Sequence, residues 1–115
     1  MVFRIKALKP SLKEKKRYVV FEVLSKTRVG FKDTRDAILD AVHRFLGSSG
    51  AAKLGLVFFE DRWKDQKGIV KVNLKHVEQL KASFCFAGKI NGQEVICRSV
   101  GASGILKKAM NRYIA

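Results

Sequence analysis

Tyr18-Val19-Val20-Phe21-Glu22-Val23-Leu24 is the stretch on which the fold turns. It is β-branched and aromatic, and reads as a strand. Successive strand side chains point to opposite faces, so Val19, Phe21 and Val23 share one side and Tyr18, Val20 and Glu22 the other.

Working outward, Ser25-Lys26-Thr27-Arg28-Val29-Gly30 reads as a loop, and residues 33–46 as a helix. Ala37, Ile38, Ala41, Val42, Phe45 and Leu46 form its apolar stripe. Asp33 and Asp36 suit the positive end of its dipole, and Gly47 suits a C-terminal stop. Residues 54–63 and 68–74 are strand candidates separated by Lys64-Asp65-Gln66-Lys67, which predicts an antiparallel hairpin. Val77, Leu80, Lys81, Phe84 and Cys85 predict a second helix over residues 75–87. Asn91-Gly92 is a turn signal ahead of a fourth strand over 93–100, which Gly101-Ala102-Ser103-Gly104 breaks. A last helix over 104–113 places Ile105, Leu106, Ala109, Met110 and Tyr113 on its apolar face. The order is β-α-β-β-α-β with an added C-terminal helix. This is the α+β, ferredoxin-like (RRM-like) sandwich: a four-stranded antiparallel sheet with helices on one face and the other face open.

Composition sets the partner class. The 115 residues allow one domain, and 47% hydrophobic content is too high for a disordered tail. No apolar run approaches the roughly 20 residues of a membrane span, and the N-terminus lacks the apolar region of a signal peptide. Two cysteines, Cys85 and Cys97, suit a cytoplasmic chain in which both are small core hydrophobes. Lys and Arg number 24 against 10 Asp and Glu, a net charge of +14, so the expected partners are polyanions. Residues 1–17 hold seven cations and one carboxylate, residues 18–68 nine and seven, and residues 69–115 eight and two. The chain therefore divides into a basic N-terminal arm, 1–17, and a single domain, 18–115.

Catalytic and metal-binding patterns are absent from the sequence. His43, His76, Cys85 and Cys97 have no zinc-ligand spacing, and no serine or cysteine sits in an elbow-type glycine context. Asp33, Asp36 and Asp40 share one exposed helix side. The loop Val29-Gly30-Phe31-Lys32-Asp33-Thr34-Arg35 faintly resembles the phosphate loop of acylphosphatases, whose family also needs an asparagine on the second strand. Residues 54–63 have none, and Asp33 stands where the anion would sit. RNA recognition motifs stack bases on central-strand aromatics, but Ile69 and Val70 occupy those places in Lys67-Gly68-Ile69-Val70-Lys71-Val72. Backbone contact by Lys and Arg is the better mechanism. The residues expected to meet RNA are Lys13, Lys15, Lys16, Arg17, Lys64, Lys67 and Lys71, with Lys107, Lys108 and Arg112 as a second set. Phe58, Phe59 and Trp63 exceed the aromatic mass of one small core and are candidates for a protein interface.

Four stretches together resemble the small ferredoxin-like subunit of archaeal and eukaryotic ribonuclease P, the protein component 2 family. They are Lys16-Arg17-Tyr18-Val19-Val20-Phe21-Glu22, Ala37-Ile38 with Gly47 and Gly50-Ala51, Gly68-Ile69-Val70-Lys71-Val72, and Val100-Gly101-Ala102-Ser103-Gly104. Ile105 stands where the family usually has threonine. The resemblance implies a non-catalytic protein that assists a catalytic RNA in removing the 5′ leader of precursor tRNA, an endonucleolytic hydrolysis. It implies magnesium used by the RNA and no cofactor on the protein. It implies ribonuclease P RNA, precursor tRNA and the TIM-barrel-like protein component 3 as partners, with homodimers or heterotetramers. A generic basic ribonucleoprotein component and an acylphosphatase-like hydrolase are the alternatives.

Overall fold

The structure is a computed structural model and describes residues 15–114; Lys13 lies outside the described residues. β1 (Lys16–Leu24) is followed by α1 (Phe31–Ala52), β2 (Val57–Phe58), β3 (Lys67–Asn73) and α2 (Val77–Phe84). A small hairpin of β4 (Lys89–Ile90) and β5 (Gln93–Glu94) precedes β6 (Ile96–Ser103). The last helix, α3 (Leu106–Ala109), runs into a π turn over Met110–Ile114. The main sheet is antiparallel with order β2-β3-β1-β6, so β1 is central, as the ferredoxin-like order requires.

The two-residue alternation of β1 divides the molecule into two cores. Val19, Phe21 and Val23 join Val70, Val72 and Cys97 under Ile38, Ala41 and Val42 of α1 and Leu80 and Phe84 of α2. Phe21 is fully buried, with the rings of Phe58, Trp63 and Phe84 at 6.1, 6.2 and 5.8 Å. On the other face, Val20 and Ile69 are covered by Leu106, Ala109, Met110, Tyr113 and Ile114. The terminal helix is therefore what covers the sheet face that the element order leaves open.

That packing explains one departure from expectation. Gly101, Ala102 and Ser103 extend β6 instead of ending it. A Cβ on Gly101 would lie 2.2 Å from Cζ of Tyr113, so glycine lets the ring rest on the strand. Other bounds also moved. The expected strand over 54–63 shortens to Val57–Phe58 before a 3₁₀ turn at Glu60–Arg62. β1 begins at Lys16, so Lys16 and Arg17 belong to the sheet and pair with Asn73 and Val72. Helical geometry breaks at Gly47 (φ 75°) and then resumes to Ala52. Phe45, placed on the buried stripe, is 42% exposed, and Ile105 precedes the last helix and is 51% exposed. Cys97 is buried as expected, whereas Cys85 is exposed, because it lies just past the end of α2.

Asp65 and Gln66 close the β2–β3 hairpin with left-handed backbone, at φ 51° and 59°. The Gln66 amide then ties this hairpin to the end of β1. Its Oε1 accepts the Val29 N–H at 2.7 Å, and its Nε2 donates to the Val23 carbonyl at 2.8 Å. Val29 is only 4% exposed, so losing that acceptor strands a buried donor. Gln66→Ala is expected to cost about 1–3 kcal/mol in urea unfolding; a change within about 0.5 kcal/mol would show that the clamp carries no stability.

Candidate nucleic-acid interface

The interface can be built from cross-strand neighbours, which share a face. On the side away from α1 and α2, β1 and β3 set Lys16 opposite Asn73, Tyr18 opposite Lys71, Val20 opposite Ile69 and Glu22 opposite Lys67. The apolar middle of this face lies beneath the terminal helix, and its rows of lysines are left at the margins. Lys107, Lys108 and Arg112 are exposed on that helix, so they add their charge to the same side. Lys108, Asn111 and Arg112 line a shallow depression there.

The other expected residues fall around this surface. Lys15 is exposed just before β1, where its carbonyl accepts the Leu74 N–H at 2.7 Å. The Lys16 ammonium bonds Oδ1 of the buried Asn73, whose Nδ2 in turn donates to the Lys53 carbonyl at 2.7 Å. Arg17 Nη1 donates to the Lys16 carbonyl at 3.0 Å, and the guanidinium lies against Gly104 near the start of the last helix. Lys64 is exposed at the hairpin, and Lys67 is half-buried with its ammonium 3.5 Å from the Tyr113 carbonyl. Two of these lysines are thus held in place by neutral oxygens, which keep their charge available to an anion.

Pairing separates two classes of cation. Arg28, Arg35, Arg44, Arg62, Lys81 and Arg98 each lie within 4.0 Å of a carboxylate. Among the described residues, Lys15, Lys16, Arg17, Lys64, Lys67, Lys71, Lys107, Lys108 and Arg112 have no such carboxylate partner, and neither do Lys26, Lys32, Lys53, Lys75 and Lys89. The two helices are electrically balanced. α1 holds Lys32, Arg35 and Arg44 against Asp33, Asp36 and Asp40, and α2 holds Lys81 against Glu78. Residues 15–114 contain 20 cations and nine carboxylates, so the whole excess of +11 lies outside α1 and α2. A surface of unpaired cations has counterions to release to phosphate, and ion-paired cations have few. The sequence supplies the charges but not this sorting, because pairing depends on which side chains the fold brings together.

The remaining candidates take structural places. Phe58 and Trp63 pack on the helix-side core, and Phe59 packs under the terminal helix with its ring 5.9 Å from Tyr18. The aromatic group that sequence reasoning missed is Phe45 with Phe86, stacked at 4.9 Å with 26° between the rings, and both rings are exposed. In the loop before α1, Gln66 already occupies the Val29 amide, and Thr34 Oγ1 donates to the Gly30 carbonyl at 2.9 Å. That amide is thus not free to cradle an acyl phosphate. At the last turn, Ser103 Oγ accepts the Ile105 N–H at 3.1 Å, so a hydroxyl two residues earlier serves there although position 105 is isoleucine. Among the described residues, no group of three or more His, Cys, Asp or Glu side chains could hold a metal ion, and no helix is long and apolar enough to cross a membrane.

Burial, with Cys85 nearby as the lesser cause, pushes the Cys97 thiol up from 9.0 to about 12. The unfolded thiol ionises near 9.0 while the folded one keeps its proton to about 12. Its contribution to stability is therefore complete below that window and is lost as pH rises through it. At neutral pH, iodoacetamide is expected to modify the folded protein once, at Cys85, and the unfolded protein twice, as read by mass spectrometry. Rapid double labelling of folded protein would contradict the burial of Cys97.

These features define a ferredoxin-like domain whose two core helices are electrically balanced and whose sheet and terminal helix carry cations without carboxylate partners among the described residues. A profile of the Rpp14/Pop5 family matches residues 17–114, and the chain belongs to that family. It is 36% identical over 110 residues to ribonuclease P protein component 2 of Thermococcus gammatolerans, covering 96% of this chain and 92% of that one. It is 32% identical to the protein of the same name from Pyrococcus furiosus, covering 97% and 93%. A chain in the cryo-EM structure of yeast ribonuclease MRP shares the fold with a TM-score of 0.64, at 13% identity, over 78% of this chain and 74% of that one.

Proposed function

We propose that this chain is a protein subunit of ribonuclease P that holds the catalytic RNA through Lys and Arg contacts to phosphate, and so supports removal of the 5′ leader from precursor tRNA in the cytoplasm. The observation that carries the reading is the family match across residues 17–114 together with a surface of cations that have no carboxylate partner among the described residues. Folding an RNA active site crowds phosphates together. Fixed ammonium and guanidinium groups offset that repulsion and lower the need for free divalent ions. The chemistry belongs to the RNA and its magnesium, and this chain supplies positioning. Protein component 3 is the proposed protein partner, with a homodimer or heterotetramer as the assembly.

The test is reconstitution with the cognate RNA and partner subunit at limiting magnesium. Precursor-tRNA cleavage is expected to rise when this chain is added. Tight RNA binding with no gain in cleavage would instead make it a generic ribonucleoprotein component.

A further inference from the structure

Asn73, only 6% exposed, ties three segments together at one end of the sheet. Its Oδ1 accepts the Lys16 ammonium, and its Nδ2 donates to the Lys53 carbonyl at 2.7 Å. Its N–H donates to the Leu54 carbonyl at 2.9 Å, and the next amide, that of Leu74, donates to the Lys15 carbonyl at 2.7 Å. A Cβ on Gly55 would lie 3.1 Å from Asn73 Oδ1, so the loop after α1 closes tightly on this side chain. Segments 15–21, 51–59 and 69–77, which meet there, hold six lysines and arginines and no carboxylate. Two of the six, Lys53 and Lys75, lie off the sheet and are exposed. Lys53 follows the C-terminal end of α1, where a cation suits the helix dipole. Lys75 precedes α2, at the positive end of that helix, where a cation is disfavoured. Glu78, three positions on, lies 3.6 Å from Lys81 and not within 4.0 Å of Lys75. Like charges gathered by the backbone repel one another in the free chain, and a bound anion relieves that repulsion. Lysine is depleted at protein interfaces, whereas phosphate backbones are met by lysine and arginine.

We infer that Lys53 and Lys75, together with Lys15 and Lys16, form a contact for the phosphate backbone of RNA at this end of the sheet. The RNA surface thus continues from Arg17 and Lys71 of the sheet, round its end, to the end of α1 and the start of α2. This rests on the reading of the chain as a ribonuclease P subunit and extends its RNA contact to two residues off the sheet.

The experiment measures binding of the full chain to the cognate ribonuclease P RNA and, separately, to precursor tRNA, across a salt series. Lys53→Gln with Lys75→Gln is compared with Lys26→Gln with Lys89→Gln, two exposed lysines elsewhere that also have no carboxylate partner among the described residues. The first pair is expected to weaken binding of at least one RNA about 10- to 30-fold and to flatten its salt slope by about 1.4–1.8. The RNA that responds is the one whose backbone lies there. The second pair should change affinity less than about 3-fold. Lys53→Arg with Lys75→Arg should keep both affinity and slope, and the urea midpoint should not move in any variant. Equal effects of the two glutamine pairs, or unchanged binding of both RNAs by the first, would overturn the inference. So would unchanged RNA binding with loss of another protein subunit, which would make the cluster a protein contact. Should the unaltered chain bind neither RNA, the subunit reading falls first, and the inference with it.

Discussion

Replacing Phe21 with alanine is expected to remove about 3–5 kcal/mol of stability. Phe21 sits at the centre of β1 with no exposed surface, and three rings, from Phe58, Trp63 and Phe84, lie within 6.2 Å of it. Those rings come from the β2 strand, the turn after it and α2, so none can follow the missing side chain without moving its own element. Residual cavity therefore adds to the lost transfer energy. Gly68 confirms how tightly the site is filled: a Cβ there would lie 2.7 Å from Phe21 Cζ and 3.0 Å from Trp63 Cε3. Against a typical total of about 5–15 kcal/mol, this one change removes a large share. The midpoint of urea unfolding is expected to drop with little change in slope. Phe45→Ala provides the contrast, with an expected loss under about 1 kcal/mol, since that ring is already 42% exposed. Equal losses from the two substitutions would contradict the placement of the core.

The difference between Phe21 and Phe45 also marks where sequence reading succeeds. A strand's period of two assigns faces without any knowledge of neighbours, and Val19, Phe21 and Val23 do face the helices while Val20 faces the other side. The 3.6 period of α1 places Phe45 on the apolar stripe equally well, but it cannot say that only another exposed ring, Phe86, would meet it there. Gly101 departs from its expected role for a similar reason. Its residue type suits a strand break, yet its role is a close approach to Tyr113, twelve positions away. Gln66 gave no local signal, because its amide partners, Val29 and Val23, lie 37 and 43 positions away. At the interface, the count of cations was legible, but their sorting into paired and unpaired sets was not. Asp40 and Arg44 are a readable helix pair, whereas Glu22 and Arg98 are joined only by the β1–β6 register.

That sorting leads to the second large expected effect. Lys64→Gln, Lys71→Gln, Lys108→Gln and Arg112→Gln together should weaken RNA binding by roughly 100- to 1,000-fold at moderate salt, taking about 0.7–1 kcal/mol per contact. All four residues lack a carboxylate partner among the described residues, and none of their side chains takes part in the hydrogen bonds of Asn73 or Gln66 that hold the fold. Stability should therefore hold while affinity falls. Affinity alone cannot separate lost phosphate contacts from a distorted surface, but its salt dependence can. Each phosphate contact adds about 0.7–0.9 to the slope of log affinity against log salt, so four losses should flatten that slope by about 3. Arg35→Gln with Lys81→Gln removes two cations of the helical side that already have carboxylate partners. These have few counterions to release, and the slope should move by less than 1. If both sets flatten the slope in proportion to the number of charges removed, RNA is responding to net charge and not to a face. A steep loss confined to the first set is the outcome that follows from the structure, because those four cations have no carboxylate partner among the described residues, whereas Arg35 and Lys81 each have one.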